Sequence, residues 1–232
     1  MISVIIPTYN EEANVKATIE KIWQYDEANF IKEVIITDGG STDNTVAIAK
    51  TERVKIVISP KKGRAAQMNY GASFATGKIL YFLHADTIPP RNFTKDIAHA
   101  LEQGFDAGCF MLSFDHKHWF LKTSCWLTRF DVDAIRFGDQ SLYVTKKAFL
   151  IAGRFCEKHF IMEDQHFIRR LKKFVPFTII KRPVITSARK YLENGIYKTQ
   201  YIFFVIYLMY KFGYSQQKLV ATYKQLIAQN KL

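Results

Sequence analysis

The amino-acid sequence predicts an α/β protein built around a mostly parallel sheet. Short apolar runs rich in Val and Ile alternate with longer segments whose apolar residues recur at helical spacing. Glycine, proline and polar residues separate the two kinds of segment. This alternation is typical of βαβ units, and 232 residues with 48% hydrophobic side chains suffice for one domain with a substantial core.

Four strand–helix units occupy the first half of the chain. The first helix carries Val15, Ile19 and Ile22 on one stripe, and Gly77 ends the third helix. The predicted strands are Ser3–Pro7, Glu33–Thr37, Lys55–Ser59 and Ile79–His84, and the predicted helices are Glu12–Tyr25, Thr45–Thr51, Ala65–Thr76 and Phe93–Gln103. Helical connections of this kind join parallel strands.

The second half of the chain has a looser pattern and many aromatic residues. The predicted strands here are Ala107–Phe114, Gln140–Thr145, Phe177–Lys181 and Val184–Ser187. The predicted helices are Trp119–Phe130, Lys147–Ala152, Glu163–Lys173, Ile196–Phe212 and Gln216–Gln229. No internal repeat or low-complexity segment interrupts them.

The formal net charge of +12 lies in the second half of the chain. Met1–Asp115 has 12 basic against 14 acidic residues, whereas His116–Leu232 has 21 against 7. A basic half suits nucleic acid, an anionic membrane face or phosphorylated substrates, and it equally suits a solvated surface. Composition alone leaves these alternatives open.

Three cysteines and one apolar stretch give information on the cellular compartment and on contact with a membrane. Cys109, Cys125 and Cys156 form no Cys-x-x-Cys pair, so we expect reduced thiols, packed as small core residues in a cytosol-like compartment. No secretory signal is expected before the first strand. Tyr201–Tyr210 is shorter than the roughly 20 apolar residues that span a bilayer. It is expected to lie in a membrane interface, or to be buried against the body or in a homodimer contact.

Four polar clusters fall at or just after the ends of predicted strands. In chain order they are Pro7–Glu11, Asp38–Asp43, Lys61–Arg64 and His84–Thr87. The carboxyl ends of parallel strands lie along one edge of a sheet, where ligands bind. Carboxylates accept hydrogen bonds from a base or ribose, arginine pairs with phosphate, and aspartate holds a cation between phosphates. A nucleoside diphosphate is the ligand that needs all three.

Taken singly, these residues have structural alternatives. Asp43 or Ser41 suits a helix cap, and Arg64 alone suits a surface charge. The chain contains neither a Gly-x-Gly-x-x-Gly run after the first strand nor a P-loop motif, which argues against dinucleotide and P-loop sites. We therefore expect a metal ion and basic side chains to bind the phosphates and neutralise their charge.

A fifth cluster, Glu163 and Asp164, opens a predicted helix. Acids at this position stabilise the positive end of the helix dipole, which is sufficient structural reason for them. Adjacent helical residues point about 100° apart, so at most one of the two would face a site while the other orients it. The one that faces the site is a candidate general base for a hydroxyl.

Together these motifs resemble the family 2 inverting glycosyltransferases. The segments that carry the resemblance are Val4–Glu12, Asp38–Asp43, Gly63–Asn69, Leu83–Thr87 and the Glu163-Asp164 pair, with Thr186–Lys190 similar to a bacterial subgroup of small single-domain members. The resemblance covers roughly Ser3 to Arg189 and implies a GT-A fold. It implies a domain over residues 1–190, with a nucleotide-sugar-binding half at 1–115 and an acceptor half at 116–190, followed by a helical segment at 191–232.

The resemblance also implies a donor site for a nucleotide-diphosphate sugar. It places Pro7, Thr8, Tyr9 and Glu11 around the base and ribose, and Asp38 on the nucleoside. The implied roles of the remaining donor-site residues are contact with the base or diphosphate for Arg64, a Mg2+ or Mn2+ ion for Asp86, and donor binding for Arg189.

For catalysis, the resemblance makes Asp164, with Glu163 beside it, the base that deprotonates the acceptor hydroxyl for a single inverting displacement. Two departures from the family's motifs stand out. His84 replaces the first aspartate of the usual metal motif, which leaves Asp86 as its one carboxylate. The Gln-x-x-Arg-Trp segment of processive members is absent, so we expect transfer of a single sugar.

The expected partners are a nucleotide-sugar donor, a hydroxyl acceptor that is lipid-linked as one alternative, and no nucleic acid. Basic residues beside Tyr201–Tyr210 favour contact with anionic lipid, at the inner face of a membrane in the cytoplasm. Two other functions stay open: a nucleotide or nucleic-acid binder without catalysis, and a sugar nucleotidyltransferase. The Gly-rich, Arg-containing signature of the latter is missing from Ile2–Glu12.

Overall fold

The computed structural model describes residues 1–136 and 138–227, and within them the chain forms the predicted α/β fold. The strands are β1 (Ile2–Thr8), β2 (Ile31–Asp38), β3 (Val54–Ile58), β4 (Ile79–Phe82), β5 (Thr87–Ile88), β6 (Ala107–Phe114), β7 (Leu142–Thr145) and β8 (Phe177–Thr186). The helices are α1 (Val15–Tyr25), α2 (Thr45–Ala49), α3 (Arg64–Phe74), α4 (Phe93–Glu102), α5 (Trp119–Leu127), α6 (Lys146–Ile151), α7 (Glu163–Leu171), α8 (Arg189–Asn194), α9 (Ile196–Lys211) and α10 (Gln216–Leu226). Two single 3-10 turns, Asp133–Ile135 and Gly138–Gln140, lie between α5 and β7.

The strands form one sheet in the order β3-β2-β1-β4-β7-β6-β8-β5. β1 to β4 run parallel, and β6 runs parallel to β8. β7 is antiparallel to both β4 and β6, and β5 is antiparallel to β8. The carboxyl ends of the first four strands therefore meet at one edge, as the positions of the polar clusters require.

Both faces of the sheet are covered, which explains why the central strands are continuous apolar runs. In β1, Val4 and Ile6 pack with residues of α1 and α4, whereas Ile5 packs on the other face with residues of α3, α6 and α7. All three side chains are fully buried. Each such burial contributes about 1.5–3 kcal/mol.

Three details differ from the sequence-based expectation. The two strands predicted over residues 177–187 form one strand, β8. Its pairing with β6 shifts register just before Pro183, between the positions that pair with Phe110 and Met111. The short strand β5 and the helix α8 were not predicted, since two residues and one and a half turns carry too little periodicity. The final predicted helix ends at Leu226, and its expected last residues, 228–229, lie outside the described residues.

The C-terminal helices α9 and α10 pack against each other and against Met162. α9 buries Thr199, Ile202 and Ile206, so the apolar stretch is half-buried. Its opposite face exposes Tyr201 and Phe204. Across the described residues, none of the helices combines the length and apolar character that crossing a bilayer demands.

The cysteines are free thiols in two kinds of surroundings. Cys109 and Cys125 are buried, as expected for small core residues. Cys156 is only partly buried, so its expected core position is wrong. It lies in the loop that leads to α7.

Candidate active site

The ends of β1 and β2 form the floor of the candidate site. Thr8 pairs in register with Asp38, and the Thr8 hydroxyl donates to the Asp38 carboxylate at 3.0 Å. Gln67, on α3, donates from its amide nitrogen to the carbonyls of Thr8 (2.7 Å) and Thr37 (2.9 Å). A Cβ on Gly39 would lie 2.9 Å from that nitrogen, so any larger residue there would push the Gln67 amide away from these carbonyls.

The turn after β2 is held by its own acidic residues. The Asp38 carboxylate accepts hydrogen bonds from the backbone amides of Gly40 (2.9 Å) and Ser41 (2.8 Å) and from the Ser41 hydroxyl. Asp43 accepts from the Thr45 amide at 3.0 Å, at the start of α2. Both carboxylates therefore shape the turn, and the nucleoside contact expected of Asp38 stays a prediction.

The segment after β1 reaches across to the same turn. The amides of Asn10 and Glu11 donate to the hydroxyls of Ser41 (2.9 Å) and Thr45 (2.7 Å). The Glu11 carboxylate accepts from the Asn14 side-chain amide at 2.9 Å. Pro7 and Tyr9 are partly exposed at this edge. The structure thus brings the first two predicted clusters together, while their contact with base and ribose stays a prediction.

His84, after β4, is bound by a residue that the sequence did not single out. The Asp139 carboxylate lies 2.9 Å from His84 Nδ1. The turn that carries Asp139 follows buried Arg136, whose guanidinium donates to the Thr128 carbonyl at 2.8 Å and to the Gln140 side chain. Arg136 therefore anchors the loop that brings Asp139 to the site.

Glu163 and Asp164, at the start of α7, have different neighbours, as adjacent helical positions require. Glu163 accepts from the Arg64 guanidinium at 3.1 Å. Asp164 faces Gly138 and His84: a Cβ on Gly138 would lie 2.1 Å from Asp164 Oδ2 and 2.8 Å from His84 Nε2. Gly138 is thus a second position where close approach excludes a side chain. The third, fourth and fifth predicted clusters meet here.

The electrostatics of this centre are strongly perturbed. Burial raises the pKa of the Asp164 carboxyl to about 7, with a further contribution from the charge of Glu163. Burial and the charge of Asp139 raise the pKa of Asp86 above its usual range. Burial and Arg64 lower the pKa of His84, but its hydrogen bond to Asp139 and that charge outweigh them, and the net shift is upward.

Asp86 and the segment of Arg189 meet through the short strand β5. Thr87 pairs with Thr186 at the end of β8, and the Ser187 amide donates to the Asp86 carbonyl at 3.2 Å. Arg189 then begins α8 and is partly exposed. The pairing of β5 with β8 therefore carries the Arg189 segment to the same edge as Asp86.

Asp139, Gly138 and Lys190 are the site residues that sequence reasoning missed. Burial would raise the pKa of Asp139, but the hydrogen bond and charge of His84, together with Lys190 and Arg64, hold it well below its usual range. The Lys190 ammonium also lies 5.6 Å from the Phe203 ring centroid. Gly138 and Asp139 had one local signal, a Gly-Asp pair before a strand, and their partners are far away in sequence.

Asp86 is the position that can hold a divalent cation. Its neighbouring charges include Asp139 and Glu11 as well as His84 and Arg64. A buried carboxylate beside other carboxylates suits a hard cation, and Mg2+ is commonly bound by one or two carboxylates together with substrate phosphates. These side chains therefore fit a cation whose remaining ligands would be phosphate oxygens and water.

Solved structures show which fold the chain shares. A mannosyltransferase from Pyrobaculum calidifontis, in complex with GDP-Man and Mn2+, superposes with a TM-score of 0.70 at 18% identity over 90% of this chain and 61% of that one. Glucosyl-3-phosphoglycerate synthase from Mycobacterium tuberculosis, with Mn2+, UDP and phosphoglyceric acid, gives 0.65 at 17% identity over 92% and 79%. The fold is that of the GT-A glycosyltransferases.

The sequence comparisons give the family. The sequence model of Glycosyl transferase family 2 matches residues 3–160, and the chain belongs to this family. The undecaprenyl-phosphate 4-deoxy-4-formamido-L-arabinose transferase of Aeromonas hydrophila is 29% identical over 132 residues, 53% of this chain and 40% of that protein. The Escherichia coli UDP-Glc:alpha-D-GlcNAc-diphosphoundecaprenol beta-1,3-glucosyltransferase WfgD is 32% identical over 92 residues, 38% and 36%. The matched segments span less than half of either relative.

Proposed function

We propose that the protein is a metal-dependent inverting glycosyltransferase that moves one sugar from a nucleotide-diphosphate sugar to an acceptor hydroxyl. The observation that carries the proposal is the meeting of Arg64, His84, Asp86 and Asp164 at the carboxyl edge of the sheet. Membership of the family supports enzymatic transfer over binding without catalysis, and over the nucleotidyltransferase alternative.

Asp164 is the proposed general base. A base whose pKa lies near the operating pH is both deprotonated in useful amount and basic enough to take a proton in the transition state. The pKa of about 7 for Asp164 meets that requirement. Glu163 would act through its pair with Arg64, which fixes the start of α7, and through its charge, which keeps Asp164 basic.

In the proposed donor site, Asp86 would hold Mg2+ or Mn2+, which would neutralise charge on the departing diphosphate. Pro7, Thr8, Tyr9, Glu11 and Asp38 would surround the base and ribose. The solved mannosyltransferase and synthase, both in complex with Mn2+, support this use of a cation.

In the same site, Arg64 and Arg189 would carry positive charge toward the phosphates, and Lys190 adds a third cation near Asp139. His84, held by Asp139 at Nδ1, would present Nε2 to the same space.

A lipid-linked acceptor is supported by an aromatic surface formed by α9 and the first residue of α5. Trp119, Tyr197, Tyr201 and Phe204 are all more than half exposed, and the Trp119 and Tyr197 rings lie 6.4 Å apart. Exposed aromatic rings beside lysines suit the headgroup region of an anionic membrane. The two curated relatives are named for undecaprenyl-linked substrates, which fits a peripheral position at the cytoplasmic face.

Vesicle binding tests the membrane contact. We expect the protein to sediment with phosphatidylglycerol vesicles, and the double variant Tyr201→Ser/Phe204→Ser to remain in the supernatant. Phe30→Ser is the matched control, because Phe30 is an exposed aromatic residue at the amino end of β2. Equal sedimentation of all three proteins would contradict the proposed surface.

A thermal-shift panel of UDP, GDP, CDP and dTDP sugars, each with and without Mn2+, tests the donor site. We expect one nucleotide class to stabilise the protein and Mn2+ to strengthen the effect, because a ligand that binds only the folded state raises the melting temperature. Asp86→Asn should remove the Mn2+ dependence. Asp96→Asn, which removes a carboxylate on α4 that pairs with Arg182 on β8, should keep it. Mn2+-dependent stabilisation that survives Asp86→Asn would refute the role of Asp86.

A further inference from the structure

Cys156, His159 and His166 bring three metal-ligating side chains together outside the candidate active site. One ligand atom from each residue lies within 4.8 Å of those of the other two, and among the described residues this is the group of three that meets that distance. Cys156 and His159 lie in the loop between α6 and α7, where the His159 amide donates to the Cys156 carbonyl at 2.9 Å. His166 lies on α7, one turn beyond Met162.

The two imidazoles leave nitrogen atoms without partners. Their rings stack with centroids 4.1 Å apart. Nδ1 of His159 and Nδ1 of His166 are both buried, and within the described part of the chain neither has a hydrogen-bond partner. A buried polar nitrogen without a partner costs about 1–3 kcal/mol, so two in contact need a physical reason. A cation shared by these side chains would supply one.

The chemistry of the three side chains selects the kind of cation. A thiolate with two imidazoles suits Zn2+ and related transition metals, whereas Mg2+ and Ca2+ require oxygen ligands. Ligand atoms on a tetrahedral zinc lie roughly 3.5 Å apart, so the side chains, whose imidazole rings are stacked, must rotate to bring their ligand atoms to that spacing.

We propose that Cys156, His159 and His166 bind one divalent cation of the zinc class, with water completing a tetrahedral site. The bound ion ties the loop before α7 to the helix itself. That loop also places the Phe160 ring 3.6 Å from a Cβ built on Gly63, beside Arg64, and it ends where Glu163 and Asp164 begin α7. The bound ion therefore holds the loop against the start of α3 and the start of α7, which both contribute to the candidate active site. None of its ligands belongs to the proposed cation site at Asp86.

Cobalt substitution tests the proposal without any substrate. The full chain, free of any histidine tag, is stripped with chelator and titrated with Co2+. We expect a thiolate-to-cobalt charge-transfer band and the intense visible absorption of tetrahedral Co2+, and both signals should saturate at one equivalent. Zn2+ should displace the cobalt and raise the melting temperature of the stripped protein.

Single variants assign the ligands. Cys156→Ser should abolish the charge-transfer band, and His159→Gln and His166→Gln should each weaken binding about 100-fold or more, since even outer-shell changes cost 10–100-fold. Cys125→Ala and Asp86→Asn are the controls and should keep the band. Circular dichroism of each stripped variant shows whether it is folded.

Three results would overturn the site: a folded wild-type chain that gives no charge-transfer band, a band that survives Cys156→Ser, or folded histidine variants that bind as wild type does.

Discussion

Replacing Asp164 with asparagine tests the electrostatics of the candidate active site without knowledge of any substrate. Asparagine has nearly the same shape as aspartic acid but never ionises. In the folded protein burial and the charge of Glu163 raise the pKa of Asp164 to about 7, from an ordinary value of 3.8. Wild-type protein therefore loses stability as this carboxyl ionises, and the variant does not.

The sign and size follow from proton linkage. A carboxyl whose pKa is raised by folding favours the folded state fully below about pH 4, and this contribution disappears as the pH rises through about 7. Between about pH 5 and pH 8 the change amounts to about 2–3 kcal/mol. For a chain of this length that corresponds to roughly 5–10 °C in melting temperature. The advantage of Asp164→Asn over wild type should grow by that amount as the pH rises.

Thermal unfolding followed by circular dichroism across this pH range measures the difference. Asp43→Asn is a control of opposite sign: burial raises the pKa of Asp43, but hydrogen bonds from Thr45 and the Glu12 amide outweigh it and lower the pKa. That variant should lose stability relative to wild type as the pH rises through the acidic range. A difference between Asp164→Asn and wild type that is constant with pH, or that falls, would refute the argument.

Three further changes test the same packing and electrostatics. Glu163→Gln removes a neighbouring charge that raises the pKa of Asp164, so the midpoint of Asp164 in a carboxyl carbon-13 NMR titration should fall by about 1–2 pH units; an unchanged midpoint would contradict the role of Glu163. Gly39→Ala should displace Gln67 from two buried carbonyls and lower the free energy of unfolding by about 1–3 kcal/mol in urea titrations, and no loss would show that Gln67 can move freely. Gly138→Ala places a carbon on the Asp164 carboxylate, so donor turnover should fall at least about tenfold; retained turnover would mean that Asp164 need not occupy this position.

The sequence predicted the nucleotide-binding half of the fold well. Its strands are buried on both faces, so runs such as Val4–Ile6 and Val34–Ile36 carry a strong local signal. The same reasoning divided β8 into two strands, because Pro183 and two adjacent charged residues hide a strand that continues through a register shift. It also gave no sign of β5, a two-residue strand that exists through its pairing with β8.

Candidate site residues were predictable where they follow strands in a recognisable motif. Asp38, Arg64, Asp86 and the acidic pair of α7 all stand in such motifs. Asp139 does not: its importance arises from His84, which is 55 positions away in the chain. Cys156 was expected in the core because a single cysteine has no local feature that indicates its partners. The spacing Cys156-x-x-His159 could have indicated a pair of metal ligands, but the search for Cys-x-x-Cys pairs did not include histidine.

The sequence by itself determined the family, most of the strands and helices, and the edge of the sheet at which polar residues gather. Those properties depend on local periodicity and on short motifs, and each of these lies within a short contiguous segment of the chain. Only the tertiary structure decided that Asp38 and Asp43 both hold the turn after β2, that Asp164 faces His84 while Glu163 faces Arg64, and that a thiol and two imidazoles meet beside α7. Distances between residues remote in sequence, and the burial that shifts their pKa values, are set by packing of the whole chain.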